Sequence, residues 1–214
     1  MSSAVKLIFL MHPHEVKKVK CGTGRFSALS FEGSEIIVGV EFDENPRLQD
    51  LLYDPSYLPM LLYPGEGSRD LGSGGLREAD LGGKQLLIIL IDATWALAKK
   101  MLRSSPLLQT LPRLSFTPKE PSRWLIKQQP DKNCLSTLEA VHELKLALCA
   151  AGLDTYEKPN QLLDLFAAMQ DYQIRCASDP SRRSYRQGPY KGTADRTPKQ
   201  RGKNARNVFF KDAK

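Results

Sequence analysis

Residue types suited to chemistry cluster at three places in this chain. Asp92-Ala93-Thr94-Trp95 sets a carboxylate, a hydroxyl and an indole within four residues. The carboxylate can take a proton, and the indole can stack on a base. Ser136-Thr137-Leu138-Glu139 has the spacing of a capping box, in which Ser136 and Glu139 each satisfy the other's free backbone donor. Gly22-Thr23-Gly24-Arg25 flanks a threonine with glycines beside basic residues. Its backbone N–H groups could hold a phosphate, or it is a plain surface loop.

The elements around these residues follow from apolar patterning. Leu86 to Ile91 is a run of six aliphatic residues that ends abruptly in Asp92. So short and apolar a run predicts a strand buried on both faces, as in a parallel sheet. Asp92 or Thr94 then caps a helix in which Thr94, Ala98, Met101 and Leu102 recur at helical spacing. Ligands of open α/β sheets bind beyond the carboxyl ends of strands, so Asp92 either lies at a site or only caps the helix. Further strands are expected at residues 5–11, 35–40, 57–63, 113–116 and 121–127, with Pro59 at a strand start or an edge. Helices are expected at 26–31, 46–53, 137–151 and 158–176. Gly152 ends the third, and the fourth buries Leu162, Leu165, Phe166, Met169 and Tyr172. The fold class is therefore α/β. Residues 64–83 hold seven glycines but form no P-loop, because Lys84 is followed by Gln85. The expectation is that 64–70 lie near a site and 71–83 are mobile.

At 214 residues the chain fits one domain, 1–178, with an appendage, 179–214. It has no apolar run of membrane-spanning length, and residues 5–11 are too short and wrongly flanked for a signal peptide. Cys21, Cys134, Cys149 and Cys176 show no C-x-x-C spacing, and the histidines are His12, His14 and His142. That argues for no bound metal, no disulfide framework and a reduced, cytoplasmic setting. The net charge of +7 is uneven. Residues 181–214 hold eleven Lys/Arg against Asp195 and Asp212, a net +9, which leaves −2 for the preceding 180 residues. With Tyr185 and Tyr190 interleaved and no apolar period, this tail reads as a disordered RNA-binding polycation, with a merely solubilising tail as the alternative.

Four ordered blocks carry a family resemblance. Asp92-Ala93-Thr94-Trp95 matches the D-x-T-W signature of the DTW-domain family. His12-Pro13-His14-Glu15 with Gly22-Thr23-Gly24-Arg25 resembles its first motif, Leu62-Tyr63-Pro64 its second, and Ser136-Thr137-Leu138-Glu139-Ala140 the motif opening its late helix. The resemblance covers about residues 5–175. It implies a SPOUT-like, mostly parallel sheet flanked by helices, with a C-terminal trefoil knot. It also implies a tRNA-uridine aminocarboxypropyltransferase whose donor is S-adenosyl-L-methionine. Many members carry N-terminal cysteine pairs that bind zinc, whereas Cys21 stands alone here, so the basic tail is the expected substitute.

In the implied reaction uridine N3 attacks the methylene carbon next to the donor's sulfonium, and methylthioadenosine leaves. Asp92 is the candidate general base, or else it anchors the donor's amino group or the uracil edge. Trp95 packs in the core, stacks on uracil or walls the donor pocket, and Thr94 caps or contacts the donor. Tyr63, Pro64 and Gly65 pass the adenosine by carry-over. Ser136 and Thr137 receive the donor carboxylate, and Glu139 takes its ammonium. Lys99, Lys100 and Arg103 form either a solvated helix face or a phosphate track, joined by motif position by Lys17, Lys18, Arg25 and Arg123. A monomer is expected, so that this face stays open to RNA. The competing readings are an RNA methyltransferase using the same donor and a non-catalytic RNA-binding or ribosome-assembly protein.

Overall fold

The computed structural model describes residues 1–18, 22–127, 134–179 and 181. Six strands form one sheet: β1 (Lys6–Met11), β2 (Glu35–Val38), β3 (Tyr57–Leu62), β4 (Arg69–Asp70), β5 (Gln85–Asp92) and β6 (Arg113–Ser115). Their order across the sheet is β2-β1-β5-β3-β6-β4, and every pairing is parallel. The helices are α1 (Pro13–Lys18), α2 (Thr23–Ser30), α3 (Pro46–Tyr53), α4 (Glu78–Leu81), α5 (Trp95–Arg103), α6 (Pro106–Thr110), α7 (Thr137–Ala150) and α8 (Asn160–Ser178).

Strand residues alternate between two apolar layers because successive side chains point to opposite faces. Leu7, Phe9, Leu86, Ile88 and Leu90 pack with α2, α7 and α8, while Ile8, Leu10, Leu87 and Ile89 pack with residues of α3, α5 and α6. The product is a three-layer sandwich whose central strands are buried on both sides, the reason Leu86–Ile91 shows no polar alternation. The chain leaves β1 over the first face toward one edge, and leaves β5 over the second face toward the other. The order of the sheet thus reverses between β1 and β5, and open α/β sheets bind ligands beyond the carboxyl ends of strands at such a reversal.

Local chemistry sets the helix limits. Asn45 caps α3 by accepting from the Leu48 N–H, with Pro46 at its first turn. α7 ends in a Schellman motif: the Leu153 N–H reaches the Leu148 carbonyl, the Gly152 N–H reaches that of Cys149, and Gly152 has φ +72°.

Three expectations are corrected. Residues 71–83, expected to be mobile, build a 3₁₀ turn at Leu71–Ser73 and then α4, and Leu71 and Leu76 are buried. Residues 121–127, expected to be a strand, join no sheet. They run with alternating exposure but are held by side chains of two helices. Tyr172, expected on the buried side of α8, is 52 % exposed, and Gln170 is buried instead. The basic tail lies outside the described residues except for Asp179 and Ser181, and so does Cys21. Among the described residues no helix is long and apolar enough to cross a membrane, and no group of His, Cys, Asp or Glu side chains could hold a metal ion.

Candidate active site

Asp92 is the last residue of β5, in register with Met11 of β1. Its carbonyl accepts the His12 N–H at 3.0 Å, so the ladder holds its backbone to the very end of the strand. By strand alternation its side chain shares the face of Ile88 and Leu90, toward α2 and α7. Two helix N-termini meet it there. Thr137, the first residue of α7, donates its hydroxyl hydrogen to Asp92 Oδ1 at 2.6 Å. On the other side the carboxyl lies against the Cα of Gly24 in the first turn of α2, so closely that a Cβ there would collide with it.

The carboxyl is 5 % exposed. Burial pushes its pKa up from 3.8 to about 6. The Thr137 hydrogen bond opposes that rise, the Glu15 charge adds to it, and the Lys127 charge opposes it. A base of that strength is ionised at neutral pH and still strong enough to accept a proton.

Ser136 and Glu139 form the capping box in full. The Ser136 hydroxyl accepts the Glu139 N–H at 3.2 Å, and Glu139 Oε2 accepts the Ser136 N–H at 2.9 Å. Glu139, 3 % exposed, also accepts the Ser122 hydroxyl at 2.8 Å and the Arg123 N–H at 2.5 Å. Three of a carboxylate's roughly four acceptor positions are thus filled by protein groups. The backbone N–H groups of Thr137 and Leu138 have no acceptor within α7 itself.

The remaining sequence-derived residues divide into those at this end of the sheet and those displaced from it. Tyr63, Pro64 and Gly65 follow β3, the other neighbour of β5. The Arg113 guanidinium lies 5.7 Å from the centre of the Tyr63 ring, and burial raises the Tyr63 pKa. Thr94 occupies the cap position of α5 without a side-chain cap bond, and Trp95 is half-buried at its first turn. Arg25 adjoins Gly24, and Arg123 adjoins the groups gripped by Glu139. Lys99, Lys100 and Arg103 descend α5 on the opposite layer, away from Asp92. Lys17 is exposed on α1, and the side chain of Lys18 lies outside the described residues.

Glu15, Gly24, Lys127 and Gln170 were not assigned to this site from sequence. Glu15 and Gly24 stood within motif blocks, and Gly24 also lay in the glycine-flanked stretch that could hold a phosphate. Gln170 gave no signal.

Fold and site together define an α/β protein with a buried carboxylate at the strand ends where the order of its sheet reverses. A model of the DTW domain matches residues 1–174, and the chain belongs to that family. It is 34 % identical over 163 residues to tRNA-uridine aminocarboxypropyltransferase 2 of Drosophila melanogaster, covering 74 % of this chain and 60 % of that protein. It is 27 % identical over 179 residues to the Macaca fascicularis protein of the same name, covering 81 % and 58 %, and 27 % identical over 178 residues to that of Mus musculus, again covering 81 % and 58 %. The chain therefore spans about three-fifths of the length of the curated relatives it matches. No solved structure matches it.

Proposed function

We propose that this chain transfers the 3-amino-3-carboxypropyl group of S-adenosyl-L-methionine to N3 of a tRNA uridine and releases methylthioadenosine. The observation that carries the reading is Asp92: a buried carboxylate with its pKa raised to about 6, fixed by Thr137 at the strand end where the sheet order reverses. Its support from similarity is the name its relatives carry and the match to the DTW domain.

In the proposed step the N3 proton passes to Asp92. The N3 electron pair forms a bond to the donor methylene carbon, and the carbon–sulfur bond breaks with its electrons moving to sulfur. The sulfonium supplies the leaving group, so the protein's task is to choose this carbon over the methyl by orientation. We assign the Thr137 and Leu138 N–H groups to the donor carboxylate, at a helix end that favours negative charge. Tyr63, Pro64, Gly65 and Trp95 are assigned to the adenosine and the uracil. Glu139 positions the site in this reading and leaves the donor ammonium to other groups. Lys127, whose charge acts on Asp92, is assigned with Arg25 and Arg123 to the RNA near the reaction, and Lys17, Lys18, Lys99, Lys100 and Arg103 to RNA farther from it.

Residues 1–178 act as the catalytic domain and 179–214 as an RNA tether. The resemblance to the DTW-domain family supports a SPOUT-like C-terminal trefoil knot. The setting is cytoplasmic and the working unit a monomer.

The test is a product assay. The chain is mixed with donor and unmodified bulk tRNA, and the digest is read by mass. Methylthioadenosine together with a uridine heavier by the aminocarboxypropyl group is expected. S-adenosylhomocysteine with a methylated base would replace this reading by a methyltransferase. Absence of donor binding would leave a non-catalytic RNA-binding protein.

A further inference from the structure

Residues 122–127 alternate in exposure, bend at 125–127 and join no sheet among the described residues. Three of their backbone N–H groups and one carbonyl bond to side chains. Gln170, 2 % exposed on α8, accepts the Leu125 N–H through Oε1 at 2.6 Å and donates through Nε2 to the Arg123 carbonyl at 3.1 Å. One amide thus stands in for the peptide group of a neighbouring strand. Glu139 accepts the Arg123 N–H, and the Ser122 hydroxyl, itself bonded to Glu139, accepts the Trp124 N–H at 3.3 Å. Trp124 turns inward, edge-on to Phe166 with ring centres 4.8 Å apart. The outward positions are then Arg123, Leu125 and Lys127, all exposed. Lys127 Nζ sits 4.7 Å above the Trp124 ring, and its charge is felt at Asp92.

Backbone polar groups near a core need hydrogen-bond partners. Two buried side chains from α7 and α8 supply them here. The same Glu139 caps α7, whose first residue fixes Asp92. The segment is therefore set rigidly relative to the reacting carboxylate, and it presents two cations and one apolar side chain on its outer side.

We propose that residues 123–127 form a braced rail for the RNA phosphate backbone beside Asp92, and that Gln170 is the positioning residue that sets it. The proposal rests on the RNA-modifying reading for its partner, but binding alone can test it. A neutral residue that touches no RNA should then control electrostatic binding. Each phosphate contact contributes about 0.7–0.9 to the slope of log affinity against log salt. Arg123→Gln with Lys127→Gln should lower that slope by about 1.4–1.8 for unmodified tRNA. Gln170→Leu, which removes no charge, should reproduce most of that change and weaken tRNA binding on the order of tenfold near physiological salt. Donor binding should stay unchanged, and in the transfer assay KM for tRNA should rise with kcat preserved. Gln170→Glu keeps the acceptor for Leu125 and loses the donor to Arg123, so it should fall between the two. It is read in place of Gln170→Leu should the latter fail to fold. Wild-type affinity and slope in a folded Gln170 variant would overturn the positioning role. An unchanged slope in the Arg123/Lys127 double variant would overturn the rail. If the wild-type chain binds tRNA but yields no aminocarboxypropyl product, the reaction fails while the rail stands or falls on the slopes.

Discussion

The hydroxyl of Thr137 donates to Oδ1 of Asp92 at 2.6 Å, joining the first residue of α7 to the last residue of β5 across 45 positions of sequence. Each partner sits at the end of a regular element, so neither can drift without unravelling a helix turn or a strand end. The bond fixes one carboxylate oxygen. It also moderates the rise in pKa that burial would otherwise cause.

The raised pKa predicts the acid limb of the reaction. Single-turnover transfer should fall tenfold per pH unit below about pH 6, where Asp92 takes up its proton. The pH–rate profile checks it, and a limb centred near 4 would mean that the carboxylate is not desolvated during the reaction.

Removing the hydroxyl should move that limb. Thr137→Val deletes a bond that favours the charged form, so the limb should shift to higher pH and activity at pH 6 should drop more than at pH 8. Stability at pH 7 should fall by about 1.5–3 kcal/mol, the usual scale for a hydrogen bond to a charged group. Comparing the two pH–rate profiles separates this effect from simple unfolding, which would lower activity equally at both pH values.

Gly24 is required for space. A methyl group there meets the Asp92 carboxyl, so Gly24→Ala should abolish transfer and destabilise the chain by about 1–3 kcal/mol. Adding Asp92→Ala should restore much of the stability but none of the activity. Denaturant unfolding of the two single variants and the double variant measures the coupling.

A second buried pair holds the fold rather than the chemistry. Lys145 Nζ pairs with Asp154 Oδ2, both side chains fully buried, and also donates to the Ser3 hydroxyl at 3.0 Å. Asp154 Oδ1 accepts the Ala4 N–H at 2.8 Å, so the pair ties α7 and the turn after it to the segment before β1. Asp154→Ala leaves a buried ammonium without its counter-charge and should cost about 3–5 kcal/mol. Chemical denaturation reads the loss, and a change below 1 kcal/mol would show that the ammonium finds water.

Much of this was legible in the sequence where one local rule dominated. Leu86–Ile91 had to be a doubly buried strand, Ser136 with Glu139 had to cap a helix, and Gly152 had to end it. The apolar face of α7 was read from its period, yet Lys145 on that face was not, because its partner Asp154 adjoins it only in the folded turn. Residues 121–127 carried strand alternation and no sign that two helix side chains would replace the neighbouring strand. Tyr172 was expected to be buried, and Gln170 is buried in its stead for the same reason: the amide is drawn inward by backbone groups 45 and 47 residues away. The D-x-T-W block marked Asp92, but its contacts with Gly24 and Thr137 depend on three elements meeting at the sheet's reversal, which no single stretch encodes.

The carboxylate of Asp92 also makes a stability statement of opposite sign to its catalytic one. Its folded pKa lies above its unfolded value, so its favourable contribution is present below about pH 4 and lost as pH rises through about 6. At neutral pH the fold bears the cost of the buried charge, about 3 kcal/mol on a shift of about two units. Asp92→Asn should therefore raise stability at pH 7 by up to that amount and leave it unchanged at pH 4.

The most direct measurement is transfer by Asp92→Asn beside the wild type, with donor and bulk tRNA at pH 7.5 and methylthioadenosine followed by mass. A folded Asp92→Asn chain that is more stable than the wild type, yet at least a hundredfold slower, is the predicted result. An Asp92→Asn chain that releases methylthioadenosine and modifies uridine at the wild-type rate would contradict the assignment of Asp92 as the base.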